Sequence, residues 1–422
     1  HHPDLQRQDE SAGNYAPRMP KRDDSTANMP DAVVAGPRMP VRKQSNRVVD
    51  VVGQEKSFAS TLTPSHGTLD ESDSDIATLL HGLEDTNEGA HRVDLLEKLR
   101  AALVDVSAKQ VFCAYRGVNI LNRTIWVDIG DAEVQQGCSD LLLALVAKAD
   151  RNEPDFLVGD EGEKMIDALL IVMQSSLENS DILERGCRVL GCLARASSTN
   201  DAVSDGSRTG AVLTILNAMQ AHQNSVRVLE WGVRTLYDFC SNSRSAEANK
   251  RNMWSLPVSN NEPGWRLLMT AMEVVPEDAV GLLWVLSADE DGLERLAPAD
   301  GIIAQLFDLL QRYQKDRLSS HLVEATLGCI SNFASVEANV QGVDPSEICI
   351  ISLGLIPTHL KSSTSLCSEA CAVVASLAQN ASKSAIVDQG GIDNLRLAIA
   401  DDHDDEALHE EAVQALLALL KD

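Results

Sequence analysis

The sequence predicts an all-α fold, a solenoid of stacked helices. Three observations carry this: a helical pattern that recurs, a near-constant interval between its copies, and a composition suited to close helix packing. The clearest copy is Leu183–Ala194, LERGCRVLGCLA, in which Gly186, Leu190 and Leu193 hold positions 0, +4 and +7 of one helical face. Gly137, Gly232, Ala279, Thr326, Ala370 and Ala412 anchor the same frame, with Leu141, Leu236, Leu283, Ile330, Val374 and Leu416 at +4. Successive anchors stand 49, 46, 47, 47, 44 and 42 residues apart. Intervals of this size mark helical repeats, which bury their apolar faces only by stacking on neighbours. Hydrophobic residues make up 44% of the 422 residues but aromatics only 4%, which suits helices packed at short range.

Taken in order, residues 1–70 are rich in Pro, Ser, Asp and Gln and are expected to be a disordered tail. Two echoes, APRMPKR at 16–22 and GPRMPVRK at 36–43, make it locally basic. They read as a short docking motif, as a segment that folds back on an acidic body, or as a solvated linker. Ser45, after Arg42 and Lys43, is a candidate for phosphorylation that would weaken contacts of its basic neighbours. Residues 71–116 are expected to form cap helices or a degenerate first repeat, with Asp75–Leu83 and Arg92–Asp105 helical.

Residues 117–422 are expected to hold about seven repeats, each an apolar helix, a polar turn and an anchor helix. The first helices of these pairs are GVNILNRTIWV, EGEKMIDALLIVMQSSL, GAVLTILNAMQAHQ, Trp265–Val275, Ile302–Tyr313, Ile348–Leu360 and Ile392–Ala400. Pro276 suits the first turn of the helix Glu277–Ser287. Residues 241–264, polar and carrying Pro257 and Pro263, read as an extended insertion. Gln389-Gly390-Gly391 reads as a hinge. Asp401–Asp405 reads as an acidic start to the helix Glu406–Leu420 rather than a metal loop, since it lacks the glycine and twelfth-position glutamate of a calcium site.

The anchor helices LERGCRVLGCLA, LEWGVRTLYDFC, LVEATLGCISNFA and CSEACAVVASLAQN, with the junction IVDQGGIDNLRLAI, resemble the armadillo-repeat family over about residues 117–422. The resemblance implies a right-handed superhelical solenoid, with one short and two longer helices per repeat. The last helix of each would line a concave groove for peptides or partner helices. The tryptophan and asparagine ladders with which the family's nuclear-import receptors grip basic peptides would fall at +2 and +6. Position +2 instead reads Ser139, Arg188, Arg234, Gly281, Gly328, Ala372 and Gln414. Position +6 keeps the amide only at Asn332, so that mechanism is not supported. Trp231 and Trp284, at −1 and +5, read as core.

On the groove so implied, Arg188, Arg234, Asp238 and Asn332 are the candidate partner-binding residues. Two arginines in register would clasp an acidic or C-terminal segment, because the guanidinium fork grips a carboxylate with two donors. The competing reading of Arg234 and Asp238 is a surface pair one turn apart. Asn332 would hold a ligand's main chain. Gly281, Gly328 and Ala372 would leave a smooth floor for a partner helix.

A net charge of −27 speaks against direct nucleic-acid binding and permits a basic partner protein. No 18-residue apolar run occurs, so no membrane segment is expected. The start HHPD lacks a signal peptide's apolar core and is expected to follow a lost native beginning. A cytoplasmic protein is expected, with the nucleus as the alternative. The nine cysteines lack metal-ligand spacing and read as buried free thiols. No phosphate loop, HExxH or GxSxG is present, and no cofactor is expected. The function so predicted is a non-enzymatic interaction scaffold. The alternatives are an adaptor inhibited by its own basic tail and an enzyme whose site the sequence does not reveal.

Overall fold

The computed structural model describes residues 71–146, 160–196, 210–241, 245–256, 263–288, 293, 301–316, 319–400 and 405–421. The expectations placed on residues 1–70 and on Asp401–Asp404 lie outside the described residues. Described elements are α-helices and one 3-10 turn. The stack opens with α1 (Glu71–Asp85), α2 (Gly89–Ala102), α3 (Val106–Ala114), α4 (Gly117–Val127) and α5 (Ala132–Val146). Next come α6 (Asp160–Ser175), α7 (Ser180–Ala196), α8 (Ala211–Ala221) and α9 (Val226–Ser241). The middle holds α10 (Ala246–Ser255), α11 (Arg266–Val274), α12 (Pro276–Ser287), α13 (Ile302–Asp316) and α14 (Ser320–Ala334). The 3-10 turn Glu337–Val340 leads to α15 (Pro345–His359), α16 (Thr364–Leu377), α17 (Lys383–Asp388), α18 (Gly391–Ala400) and α19 (Glu406–Leu420).

The anchors fall on α5, α7, α9, α12, α14, α16 and α19, and each of these helices packs on the next. α2 packs on α5 in the same way. A second row, α4, α6, α8 and α11, runs alongside, and every anchor helix also packs on the longer helix before it. The anchor frame is the reason. Leu141, Leu190, Leu236, Leu283, Ile330 and Val374 at +4 are buried, as are Phe239, Leu286, Phe333 and Leu377 at +7. Each such side chain contributes roughly 1.5–3 kcal/mol on burial. Small anchors let the second row close in: a Cβ on Gly186 would lie 2.5 Å from Met173 Sδ, and one on Gly232 2.7 Å from Met219 Cγ.

Local chemistry sets the ends of the helices. Ser319, Asp344, Ser363 and Asp405 cap α14, α15, α16 and α19 by accepting from main-chain N–H groups. Pro276 and Pro345 stand in the first turns of α12 and α15. The expected hinge is present between α17 and α18, where Gly390 takes φ 80. That left-handed conformation favours glycine, since no Cβ meets the carbonyl.

The stretch 241–264, read from the sequence as an extended insertion, instead carries α10, packed on α8 and α9. Only four of its residues face inward, Asn249, Lys250, Met253 and Trp254. Asn249 Nδ2 donates to the Phe239 carbonyl at 3.0 Å, and Asn339, from the 3-10 turn, donates to the Phe333 carbonyl at 3.2 Å. Both carbonyls sit at +7, at the ends of α9 and α14. A short helical element thus closes off the preceding anchor helix before the second-row helix begins; α3 and α17 stand at the same place in their repeats.

Among the described glycines, Gly328 of α14 leaves the least room for a side chain: a Cβ there would lie 2.3 Å from the Trp284 indole of α12. Gly328→Val is expected to destabilise the chain by about 1–3 kcal/mol, the usual cost of overfilling a packed seam. Urea unfolding followed by circular dichroism measures it; an unchanged midpoint would mean that the ring is free to move aside.

Candidate partner-binding face

Arg188 lies on α7 and Arg234 on α9, their side chains 35% and 42% exposed. The structure brings them together through a residue the sequence reading assigned to the core. Trp231 of α9 is only partly buried, and the Arg188 and Arg234 guanidinium carbons lie 4.9 and 5.4 Å from its ring centroid. Each such contact adds about 0.5–1 kcal/mol at an exposed site. The indole therefore fixes the spacing of two arginines that belong to different repeats.

Acidic side chains hold the same arginines. Arg188 Nη1 is 3.3 Å from Glu184 Oε1, and Glu184 also faces Arg227 at 3.6 Å. Arg234 reaches Glu230 at 2.6 Å and, through Nε, Asp278 of α12 at 3.0 Å. Partial burial works to lower the Arg234 pKa. The hydrogen bond and charge of Asp278, with the charges of Glu230 and Glu277, outweigh it and hold the guanidinium above its ordinary value. Asp238, the expected partner one turn along, is 5% exposed and accepts from Arg195 Nη1 of α7 at 2.6 Å. Asn332 stands two anchor helices beyond α9. It is buried, and its Nδ2 donates to Ser287 Oγ of α12 at 3.1 Å. The structure thus places its amide in the seam between α12 and α14.

Along these helices the face changes character. On α5, α7 and α9 it is a ladder of arginines and carboxylates, which Arg185 extends by pairing with Asp140. On α12, α14 and α16, Gly281, Gly328 and Ala372 are buried small residues. Sequence reasoning missed Trp231, Glu184, Glu230 and Asp278. A signal was available at position −2, which reads Glu184, Glu230, Glu277, Glu324 and Glu410 in five of the seven frames. Acidic residues one turn before a groove arginine are its natural partners.

No family model matches the sequence, and no curated protein does. A solved structure from work on a phosphorylation switch controlling the interaction between cadherin and beta-catenin matches 83% of this chain and 80% of its own, at 14% identity and a TM-score of 0.51. A designed armadillo repeat protein in complex with the peptide (KR)4 aligns with 60% of this chain and 99% of its own, at 18% identity and a TM-score of 0.42. Among the described residues no helix is long and apolar enough to cross a membrane.

The thiols make a separate test of the packing. Burial pushes Cys187, Cys240, Cys349 and Cys367 up to about 12, and Cys138 and Cys329 rise as well, mainly for the same reason. Cys113 and Cys192 are partly exposed. Ellman's reagent at pH 8 is expected to modify these two quickly in the native chain and all nine cysteines in urea; rapid native reaction at Cys187 or Cys240 would contradict the packing. Repeat period, helix order and the solved neighbour agree on one conclusion: the chain has the fold of an armadillo-like helical solenoid.

Proposed function

We propose that the chain is a non-enzymatic binding scaffold that takes an acidic segment of a partner protein across α7 and α9. The observation that carries this reading is the half-exposed Arg188–Trp231–Arg234 stack, which holds two guanidinium groups at fixed spacing on the anchor-helix face. An arginine has five N–H donors, so the pairs with Glu184, Glu230 and Asp278 leave donors for a ligand. Those pairs are also cheap to exchange, because an exposed ion pair stabilises by only about 0.2–1 kcal/mol. A ligand carboxylate that grips both donors of one fork replaces such a pair at little cost. The stacked indole meanwhile keeps both guanidinium groups in place while those pairs exchange.

The solved neighbour gives this reading a precedent, since the interaction of beta-catenin with cadherin is one between two proteins. Binding without turnover is the corresponding expectation for activity.

The test compares the wild-type chain with the double variant Arg188→Ala/Arg234→Ala as bait in native cell extract, after circular dichroism has shown equal helicity. Proteins retained by the wild type and lost from the variant are expected, with retention that weakens as salt is raised. An identical set of partners on both baits would overturn the assignment of the face.

A further inference from the structure

A short helical element closes each repeat, and the amount of core it supplies varies. α10 brings Asn249, Lys250, Met253 and Trp254 inward over α8 and α9. α17, its counterpart three anchor helices on, has six residues and buries only Ile386. What a bulkier element would fill is a cavity of about 240 Å³ between α15, α17 and α18. Ile350, Ile351 and Leu353 of α15 and Ile386 of α17 give it apolar walls. Gln389 and Asn394 also line it, and neither side-chain amide has a partner among the described residues.

Gly354 lines the same cavity from within α15. Glycine destabilises a helix interior relative to alanine, so its presence there calls for a packing reason. Gly137, Gly186, Gly232 and Gly328 have one, a neighbouring side chain no more than 3.1 Å from the missing Cβ. Of the described glycines inside helices, Gly354 alone would place a Cβ with nothing within 4 Å. What its bare backbone preserves is the cavity.

Volume decides the class of occupant. Small-molecule sites run to about 300–1,000 Å³, so this one is sized for a single side chain. A flexible, unbranched methionine suits a gap walled by branched residues. The two amides suit the main chain on either side of it, since each both donates and accepts. Exposed Glu347 stands one turn before Ile350 and Ile351, and exposed Asp388 and Asp393 adjoin Gln389 and Asn394. Arg396 offsets one of these acids, 3.9 Å from Asp393. The rim therefore favours an occupant with basic flanks.

The chain itself carries such a segment. Pro37–Arg47, PRMPVRKQSNR, lies outside the described residues; it sets Met39 between Pro37 and Pro40 and has four cations and no acid. Prolines favour an extended backbone, which lowers the entropy lost on docking. Lys43 stands 28 residues before Glu71, a length that spans up to about 90 Å. Six anchor-helix steps of about 8–10 Å each separate α2 from α16, on which α15 packs. The segment therefore reaches the cavity.

We infer that the cavity between α15, α17 and α18 receives Met39 of the chain's own Pro37–Arg47 segment, with Arg42 and Lys43 over its acidic rim. Ser45 makes the contact switchable, because a phosphate there brings negative charge to that same rim.

The test uses the full chain with Met39 replaced by an aliphatic diazirine amino acid, irradiated and mapped by peptide mass spectrometry. Crosslinks within one chain, from position 39 to residues 345–359 or 383–400, are expected. Gly354→Leu is expected to lower their yield at least about tenfold by filling the cavity. Its Cβ meets nothing, so the variant keeps its fold, which circular dichroism checks. Ser45→Glu is expected to lower the yield about threefold. Absence of crosslinks, crosslinks elsewhere on the chain, or an undiminished yield in Gly354→Leu would sink the proposal. So would crosslinks that join two copies, or that in cell extract join position 39 to another protein.

Discussion

The contact on which the structure depends is the approach of one anchor helix to the next. Helices that bring the Trp284 indole against Gly328, or Thr235 Oγ1 within hydrogen-bond reach of the Cys187 carbonyl, leave little spare volume between them. Close approach explains why glycine, serine, threonine, alanine and cysteine crowd the seam while aromatic residues stay scarce. It also explains why buried polar atoms such as Asn332 Nδ2 and Ser287 Oγ find each other across repeats rather than within one. Stability in such a stack is a sum of neighbour-to-neighbour terms. The face that remains open is set by what the seams do not consume.

What they leave between α5 and α9 is almost entirely arginine and carboxylate. Lysine would hold its charge on a flexible stem, whereas a planar guanidinium both stacks on an indole and pairs laterally with a carboxylate. Trp231 joins these two roles by standing between two repeats. In a chain with net charge −27, each arginine of α7 and α9 is already balanced by an acid of its own or the adjoining helix, so selectivity rests on geometry rather than on bulk field.

Much of this was legible in the sequence. The anchors, their spacing, the helix pairs, the Gly390 hinge, the Pro276 helix start and the Asp405 cap all came from apolar periodicity and terminal chemistry. The short elements did not. α10 is polar, ten residues long and inward-facing at only four positions, too few for a periodic signal to rise above its surroundings. The candidate site was half visible. The register put Arg188 and Arg234 together on a face, but periodicity along one helix says nothing about lateral partners. Glu184 and Asp278 reach them from a neighbouring turn and a neighbouring helix, Arg195 reaches Asp238 from α7, and Trp231 at −1 looked like core because an indole on an apolar frame usually is. Asn332 was misjudged for the complementary reason: its seam partner, Ser287, lies in another repeat.

The buried thiols have a consequence for how the stack can be studied while intact. Cys138, Cys187, Cys240, Cys329 and Cys367 are distributed over five different anchor helices, each at a place that water reaches only when that part of the stack opens. Because opening in a linear array is local, the rate at which each sulfur is trapped reports the breathing of its own repeat. The chain thus carries a row of internal gauges, and a ligand bound at one end can be followed by how far along the row the trapping slows.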